Sequence, residues 1–266
     1  MKYFLNTWNS LKKTLNNKNI LLFLDYDGTI VPIVETPDQA IITQRTKKLL
    51  KKLTSLSRCR LAIISGRSLK DIKKMVGIDG ITYAGNYGLE IEGQKIKFET
   101  PVSLSYRVIL EHIKNELSGN LSSFDGVFVE DKGLTLSIHY RLADRKQIPK
   151  VKTLFHEATY PYAIMNKIRT SSGKKVFEIR PPVECDKGGV TLRLLEKWKF
   201  SLKDKNIVPF YIGDDETDED AFKVLKNIGI TIFVGKPKRS YARYYLKDTE
   251  EVKKFLSHVA DLQTRG

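Results

Sequence analysis

Apolar positions along the chain fall into short solid runs that alternate with periodic stretches. Residues 19–24 read Asn-Ile-Leu-Leu-Phe-Leu, too short for a typical helix and followed by a polar turn containing Gly28, which predicts a strand covered on both faces. Residues 41–57 then place Ile42, Leu49, Leu50, Leu53 and Leu56 at helical spacing. Residues 61–64 and 81–84 repeat the strand pattern, with a short helix expected over 68–76 between them. Strands separated by helical segments need crossover connections, so this part of the chain predicts a parallel sheet with helices on both faces.

The rhythm changes after Pro101. Residues 104–117 look helical, 127–130 and 134–140 read as strands around Asp131-Lys132-Gly133, and 146–158 return to helix. Residues 165–169 and 176–179 are expected as a second hairpin turning at Ser171-Ser172-Gly173. This order predicts an α+β module with its own antiparallel sheet. From Asp186 the first rhythm resumes, with a helix near 187–198, a strand at 208–212, a helix near 217–227, a strand at 230–234 and an amphipathic helix over 248–262. The expected architecture is α/β: a parallel, Rossmann-like sheet core made from residues 1–103 and 185–266, carrying an inserted α+β cap at 104–184.

Composition leaves this picture intact and narrows it. A chain of 266 residues with 41% hydrophobic and 29% charged residues buries a substantial core and reads as a soluble globular protein. Its net charge of +15 attracts any anion, whether nucleic acid, an acidic membrane surface or a small substrate. The lysine pairs at Lys12-Lys13, Lys47-Lys48, Lys51-Lys52, Lys73-Lys74 and Lys174-Lys175 are scattered and lack an aromatic-basic recognition pattern, so solvated helix faces are the simpler reading. Cys59 and Cys185 provide neither a disulfide framework nor a four-thiolate zinc site, and the expected setting is the reducing cytoplasm. Phe4, Leu5, Trp8, Leu11 and Leu15 have helical spacing without the continuous apolar run of a signal peptide, and nothing approaches the roughly 20 apolar residues of a membrane span.

Candidate chemistry collects just after the predicted strands. Asp25-Tyr26-Asp27-Gly28-Thr29 projects two carboxylates from the first strand end, the place where open α/β sheets hold their ligands. Asp and Gly are also ordinary turn formers. Ser65-Gly66-Arg67 offers a hydroxyl, a close backbone and a guanidinium to an anion, and Ser serves equally as a helix cap. Lys187-Gly188-Gly189 brings a lysine to the re-entry into the core, where an isolated lysine would otherwise face solvent. Acids concentrate in Gly213-Asp214-Asp215-Glu216-Thr217-Asp218-Glu219-Asp220, where some of them simply suit a helix N-terminus. Clustered carboxylates without matching His or Cys suit a hard cation such as Mg²⁺, and Mn²⁺ accepts the same oxygens.

Asp25-x-Asp27-Gly28-Thr29, Ser65, Lys187 and Gly213-Asp214-Asp215, in that order, resemble the signature of the haloacid-dehalogenase-like phosphatases. A closer resemblance, to the trehalose-6-phosphate phosphatases, adds Gly85-Asn86-Tyr87-Gly88-Leu89-Glu90, Glu130-Asp131-Lys132-Gly133, His139-Tyr140-Arg141 and Glu178-Ile179-Arg180-Pro181. The resemblance implies a phosphatase in which Asp25 is the nucleophile, Asp27 the acid and base, and Ser65 and Lys187 hold the phosphoryl oxygens. It implies Mg²⁺ held by Asp25, the Asp27 backbone and Asp214, with Asp218 supporting it through water. Arg67 and Asn86 are expected near the substrate, and Glu130, Lys132 and Glu178 in the cap are expected to read glucose hydroxyls, or else to form a surface ion-pair set. A small sugar phosphate is the expected partner, with a trehalose-6-phosphate synthase as a second; a monomer is expected, with no nucleic acid and no membrane. The competing readings are a phosphatase for sucrose-, mannosylglycerate- or glucosylglycerol-type phosphates, and a catalytically silent nucleic-acid-binding protein motivated by the charge.

Overall fold

The computed structural model describes residues 1–203 and 206–265. It separates into two compact units, Met1–Phe98 with Cys185–Gly266, and Glu99–Glu184, so residues 99–103 group with the second unit. In chain order the first unit begins with β1 (Lys2–Tyr3), α1 (Phe4–Leu15), β2 (Asn19–Leu24), α2 (Gln44–Ser55), β3 (Cys59–Ile64), α3 (Leu69–Val76), β4 (Thr82–Gly85), β5 (Glu90–Gly93) and β6 (Ile96–Glu99). The second unit contains α4 (Leu104–Asn120), β7 (Phe128–Asp131), β8 (Leu136–His139), α5 (Ile148–Ile164), β9 (Arg169–Gly173) and β10 (Val176–Arg180). The first unit resumes with α6 (Lys187–Leu202), β11 (Ile207–Gly213), α7 (Glu219–Leu225), β12 (Ile230–Val234), β13 (Tyr244–Leu246) and α8 (Thr249–Arg265).

The strand order in the first unit is β1-β13-β12-β11-β2-β3-β4-β5-β6. Neighbours from β1 through β4 pair in parallel, and β5 joins β4 antiparallel. β2 lies at the centre with all six residues buried, which is why it reads as a solid apolar run. Ile20, Leu22 and Leu24 face a core shared with Leu50, Leu53 and Phe255, while Leu21 and Phe23 face the opposite one with Leu194, Trp198 and Phe222. Fully burying such side chains contributes about 1.5–3 kcal/mol each, enough to pin the strand's register and hence the position of the loop that follows it. Ser68 caps α3 by accepting the Asp71 amide, and Gly77 closes the same helix with φ +57, a left-handed turn that suits glycine.

The second unit is a four-stranded sheet, β7-β8-β10-β9, antiparallel throughout. Leu136, Ile138, Phe177 and Ile179 pack against Ile113, Leu117, Val151 and Phe155. The alternate positions carry polar groups, a pattern that one covered sheet face dictates.

Several expectations need correction. The hairpin turns at Lys174-Lys175, since Val176 pairs with Gly173 and Lys175 has φ +67. Ser171, Ser172 and Gly173 are therefore strand residues. Helix α5 runs on to Ile164 and Met165 ends it, so most of 165–169 is not strand. β9 is exposed at every position and shows no alternation from which it could be read. Strands β1, β5, β6 and β13 escape sequence reading as well, because each spans two to four residues, too few to set a period. No helix of the described residues is long and apolar enough to cross a membrane.

Candidate active site

The loop after β2 is tied to the end of β11. Asp25 N–H donates to Ile212 O at 2.9 Å, extending the ladder one step beyond the strand and fixing where the Asp25 carboxylate begins. Gly28 has φ +88, and a Cβ there would lie 2.3 Å from Asp214 Oδ2. Glycine is required at this position twice over, for its backbone conformation and for the close approach.

Lys187, first residue of α6, is buried with its ammonium 2.6 Å from Asp25 Oδ1 and 2.7 Å from Asp218 Oδ1. Asp186 caps this helix by accepting the Gly189 amide at 2.7 Å, which sets the direction in which Lys187 leaves the backbone. Asp218 also accepts the Tyr211 hydroxyl at 2.8 Å and, through Oδ2, the amides of Asp214 and Asp215 at 2.9 Å each. Burial opposes the charge on Lys187, but Asp218 and Asp25 outweigh it and hold the ammonium well above its ordinary range. Burial pushes the Asp25 carboxyl up, Lys187 opposes the rise, and Asp218 and Asp214 add to it.

Asp25, Asp214 and Asp218 each place a carboxylate oxygen within 4.8 Å of the others. Three carboxylates this close, two of them sharing the Lys187 ammonium, form an anionic, all-oxygen donor set, and that chemistry fits a hard divalent cation. The four donors on Asp218 make it the brace of the cluster. Asp215 caps the short turn Glu216–Asp218 by accepting the Glu216 amide at 2.7 Å.

Ser65 follows β3 and is buried; its Oγ accepts the Arg67 amide at 3.1 Å. Arg67 grips Asp27 with a two-pronged contact, Nε to Oδ2 and Nη2 to Oδ1, both 2.8 Å. Asn86 is fully buried with φ +48, its amide nitrogen 2.6 Å from Glu90 Oε2 and its backbone N–H on Arg67 O. Its side chain thereby bonds within the segment that follows β4.

Within the second unit, Glu130 of β7 and Glu178 of β10 both register against Ser137 of β8. They therefore share the polar sheet face. His139 Nε2 lies 2.7 Å from Glu130 Oε2, and Arg180 Nη2 donates to Glu178 Oε2 at 2.5 Å. Lys132 Nζ stands 3.8 Å from Glu130 and 3.7 Å from Glu178, so the three expected cap residues converge. Arg141 instead donates to Lys174 O at 2.9 Å and ties down the hairpin turn. Two functional partners, Tyr211 and Asp71, carry no signal in the sequence. Tyr211 sits inside an apolar strand and Asp71 inside a helix, where neither stands out by pattern.

Carboxylates at the ends of adjacent parallel strands, a buried lysine at a helix start and a separate α+β unit between two sheet segments define a haloacid-dehalogenase-like fold. The same fold is seen in a haloacid dehalogenase-like hydrolase from Bacteroides thetaiotaomicron, with TM-score 0.61 over 93% of this chain and 99% of that one at 16% identity. The chain belongs to the trehalose-phosphatase family, whose model matches residues 23–250. It is 35% identical to trehalose-phosphate phosphatase B of Arabidopsis thaliana over 97% of this chain and 70% of the relative. With the probable trehalose-phosphate phosphatase G of the same plant it shares 36% over 90% of this chain and 68% of the relative. The C-terminal domain of Candida albicans trehalose-6-phosphate phosphatase has the same fold, with TM-score 0.80 and 23% identity over 95% of this chain and 96% of that one.

Proposed function

We propose that this protein is a Mg²⁺-dependent trehalose-6-phosphate phosphatase working through an aspartyl-phosphate on Asp25. The observation that carries the reading is the buried Lys187 ammonium shared by Asp25 and Asp218 at 2.6 and 2.7 Å, beside Asp214, in a chain of this family. An Asp25 oxygen attacks phosphorus as the bond from phosphorus to the sugar oxygen breaks. Asp27 gives that oxygen its proton, and trehalose leaves. Asp27 then takes a proton from the water that attacks the aspartyl-phosphate, which restores Asp25 and releases inorganic phosphate. Ser65 and Lys187 hold the phosphoryl oxygens, where fixed donors act on charge as it moves.

Asp25, Asp214 and the Asp27 backbone carbonyl are the ligands proposed for the cation, with Asp218 bracing them. Bound Mg²⁺ supplies the positive charge that lets an anionic phosphoryl group meet a carboxylate. Glu130, Lys132 and Glu178 read the sugar: two carboxylates and an ammonium on one polar face suit a ligand rich in hydroxyls. The reading carries with it a synthase that supplies the phosphosugar, and a monomer acting in the cytoplasm, where the thiols of Cys59 and Cys185 stay reduced.

The test is phosphate release with Mg²⁺ from trehalose 6-phosphate and from sucrose-, mannosylglycerate- and glucosylglycerol-type phosphates, for the natural protein and for Asp25→Asn. Trehalose 6-phosphate is expected to be turned over fastest, and Asp25→Asn to be inactive on all. A faster competitor overturns the substrate assignment, and an active Asp25→Asn overturns the nucleophile. Salt-sensitive duplex DNA binding with no phosphatase activity would move the protein to a different class altogether.

A further inference from the structure

Arg67 has more buried machinery around it than a substrate contact needs. Its side chain is only 9% exposed, whereas that of Asp27, which it grips, is 39% exposed. Three of its donors are committed: Nε and Nη2 to the two oxygens of Asp27, and Nη1 to Asp71 Oδ2 at 3.0 Å. Asp71 lies on α3, four residues further along the chain, so the helix anchors the far side of the guanidinium. Arg67 Cζ also lies over the Tyr26 ring, 5.7 Å from the centroid, and the Tyr26 hydroxyl itself donates to Ala40 O at 2.7 Å. The backbone is pinned at both ends, by Ser65 Oγ on the Arg67 amide and by the Asn86 amide on its carbonyl. A buried guanidinium fixed by a helix, an aromatic ring and two loop bonds presents a rigid fork, and the partner of that fork is the exposed carboxyl of Asp27.

We propose that Arg67 is a positioning residue that sets the plane of the Asp27 carboxyl, and that it acts on the departing oxygen through Asp27 and not by holding phosphate or sugar. This rests on the aspartyl-phosphate reading, in which Asp27 transfers a proton to the leaving oxygen as the phosphorus-oxygen bond breaks. A fork bound to one side of both carboxyl oxygens leaves their other side for that proton. With the plane fixed, the proton is presented along one direction; without the fork, the carboxyl rotates among orientations of which few are productive.

The role has a signature that substrate binding lacks. A leaving group that departs as a stable anion needs no proton, while an alkoxide needs one fully. The experiment measures kcat and KM on 4-nitrophenyl, phenyl and simple alkyl phosphates for the natural protein, Arg67→Lys, Arg67→Met, Asp27→Asn and the Arg67→Met/Asp27→Asn double variant. Arg67→Met is expected to lose little on 4-nitrophenyl phosphate and about 10²-fold in kcat on the alkyl ester, with KM nearly constant. Arg67→Lys keeps the charge but not the fork and should lose nearly as much. In the Asp27→Asn background the Arg67 change should cost almost nothing further.

Equal losses on all three esters, a loss confined to KM, or full additivity with Asp27→Asn would overturn the proposal, because those are the marks of a phosphate contact or a general collapse of the loop. A crystal structure of Arg67→Met gives a readout independent of turnover: the Asp27 carboxyl is expected in more than one rotamer, and a single unchanged one also overturns it. Failure of the underlying reading looks different, since Asp25→Asn would then retain activity whatever Arg67 does.

Discussion

Lys187 and Asp218 meet at 2.7 Å in a fully buried ion pair, and the same ammonium reaches Asp25 at 2.6 Å. Removing the lysine leaves two carboxylates facing each other without their cation. Lys187→Met is expected to abolish phosphate release and to lower stability by about 3–5 kcal/mol, read from urea denaturation, because breaking one side of a buried pair strands the other. Tyr211→Phe removes only one of the donors on Asp218 and should cost about 1 kcal/mol. Similar losses for the two variants would mean that the ion pair is not what holds the cluster.

Gly28 and Gly133 separate strain from collision. Both have positive φ, +88 and +80, yet a Cβ at Gly28 would strike the Asp214 carboxylate while one at Gly133 meets nothing within 4 Å. Gly133→Ala should therefore cost about 1 kcal/mol of backbone strain alone. Gly28→Ala should cost more and also lose most of its turnover, since Asp214 must move. Thermal melts of the two variants side by side check this, and equal melting temperatures would contradict it.

Metal binding should register without any substrate. A ligand at about a hundred times its dissociation constant stabilises by about 2.7 kcal/mol, so Mg²⁺ is expected to raise the melting temperature of the natural protein. Asp214→Asn should respond little, and a chelator should reverse the rise. An Asp214→Asn variant with an undiminished response would remove Asp214 from the ligand set.

On the polar sheet face, Glu130→Ala is expected to lose trehalose 6-phosphate turnover by at least about tenfold more than turnover of a small aryl phosphate, as a group that reads only the sugar should. Paired assays on the two substrates measure the ratio. Equal losses on both argue against a sugar-reading role.

A pH effect is expected far from the catalytic cluster. Burial lowers the His258 pKa from the usual 6.5, and Lys254 and Lys12 lower it further against the opposing pull of Asp261. His258 stacks on Trp8 at 5.4 Å, and its Nδ1 has no hydrogen-bond partner among the described residues. The folded state therefore binds the proton less readily than the unfolded chain. Stability should be level above the unfolded value and fall as pH drops through it toward the folded value. Melting temperatures at about pH 7.5 and about pH 5.5 should differ less for His258→Gln than for the natural protein; an unchanged difference would remove His258 as the source.

What the sequence determined by itself was set by period and burial. The run at Asn19–Leu24 and the one at Ile230–Val234 mark their strands to the residue, because a strand covered on both faces is apolar at nearly every position, with only Asn19 and Thr231 polar here. The acids after β2 and β11 were legible for a related reason, since polar residues directly following buried runs fall at strand ends, whereas Lys187 stood out only through its place in the family motif. Edge strands such as β9 were not legible, since a fully exposed strand imposes no pattern.

Tertiary structure alone decided which groups meet. That Lys187 closes on Asp25 and Asp218 depends on α6 returning after a whole inserted unit, 162 positions from Asp25. Tyr211 and Asp71 became visible as partners only when strand register and helix phase turned them toward Asp218 and Arg67. The guanidinium of Arg67 could have served an anion on sequence grounds alone. Its burial against Tyr26 and its two bonds to Asp27 follow from how the loops after β2 and β3 pack, and packing between loops is not written in the period of either strand.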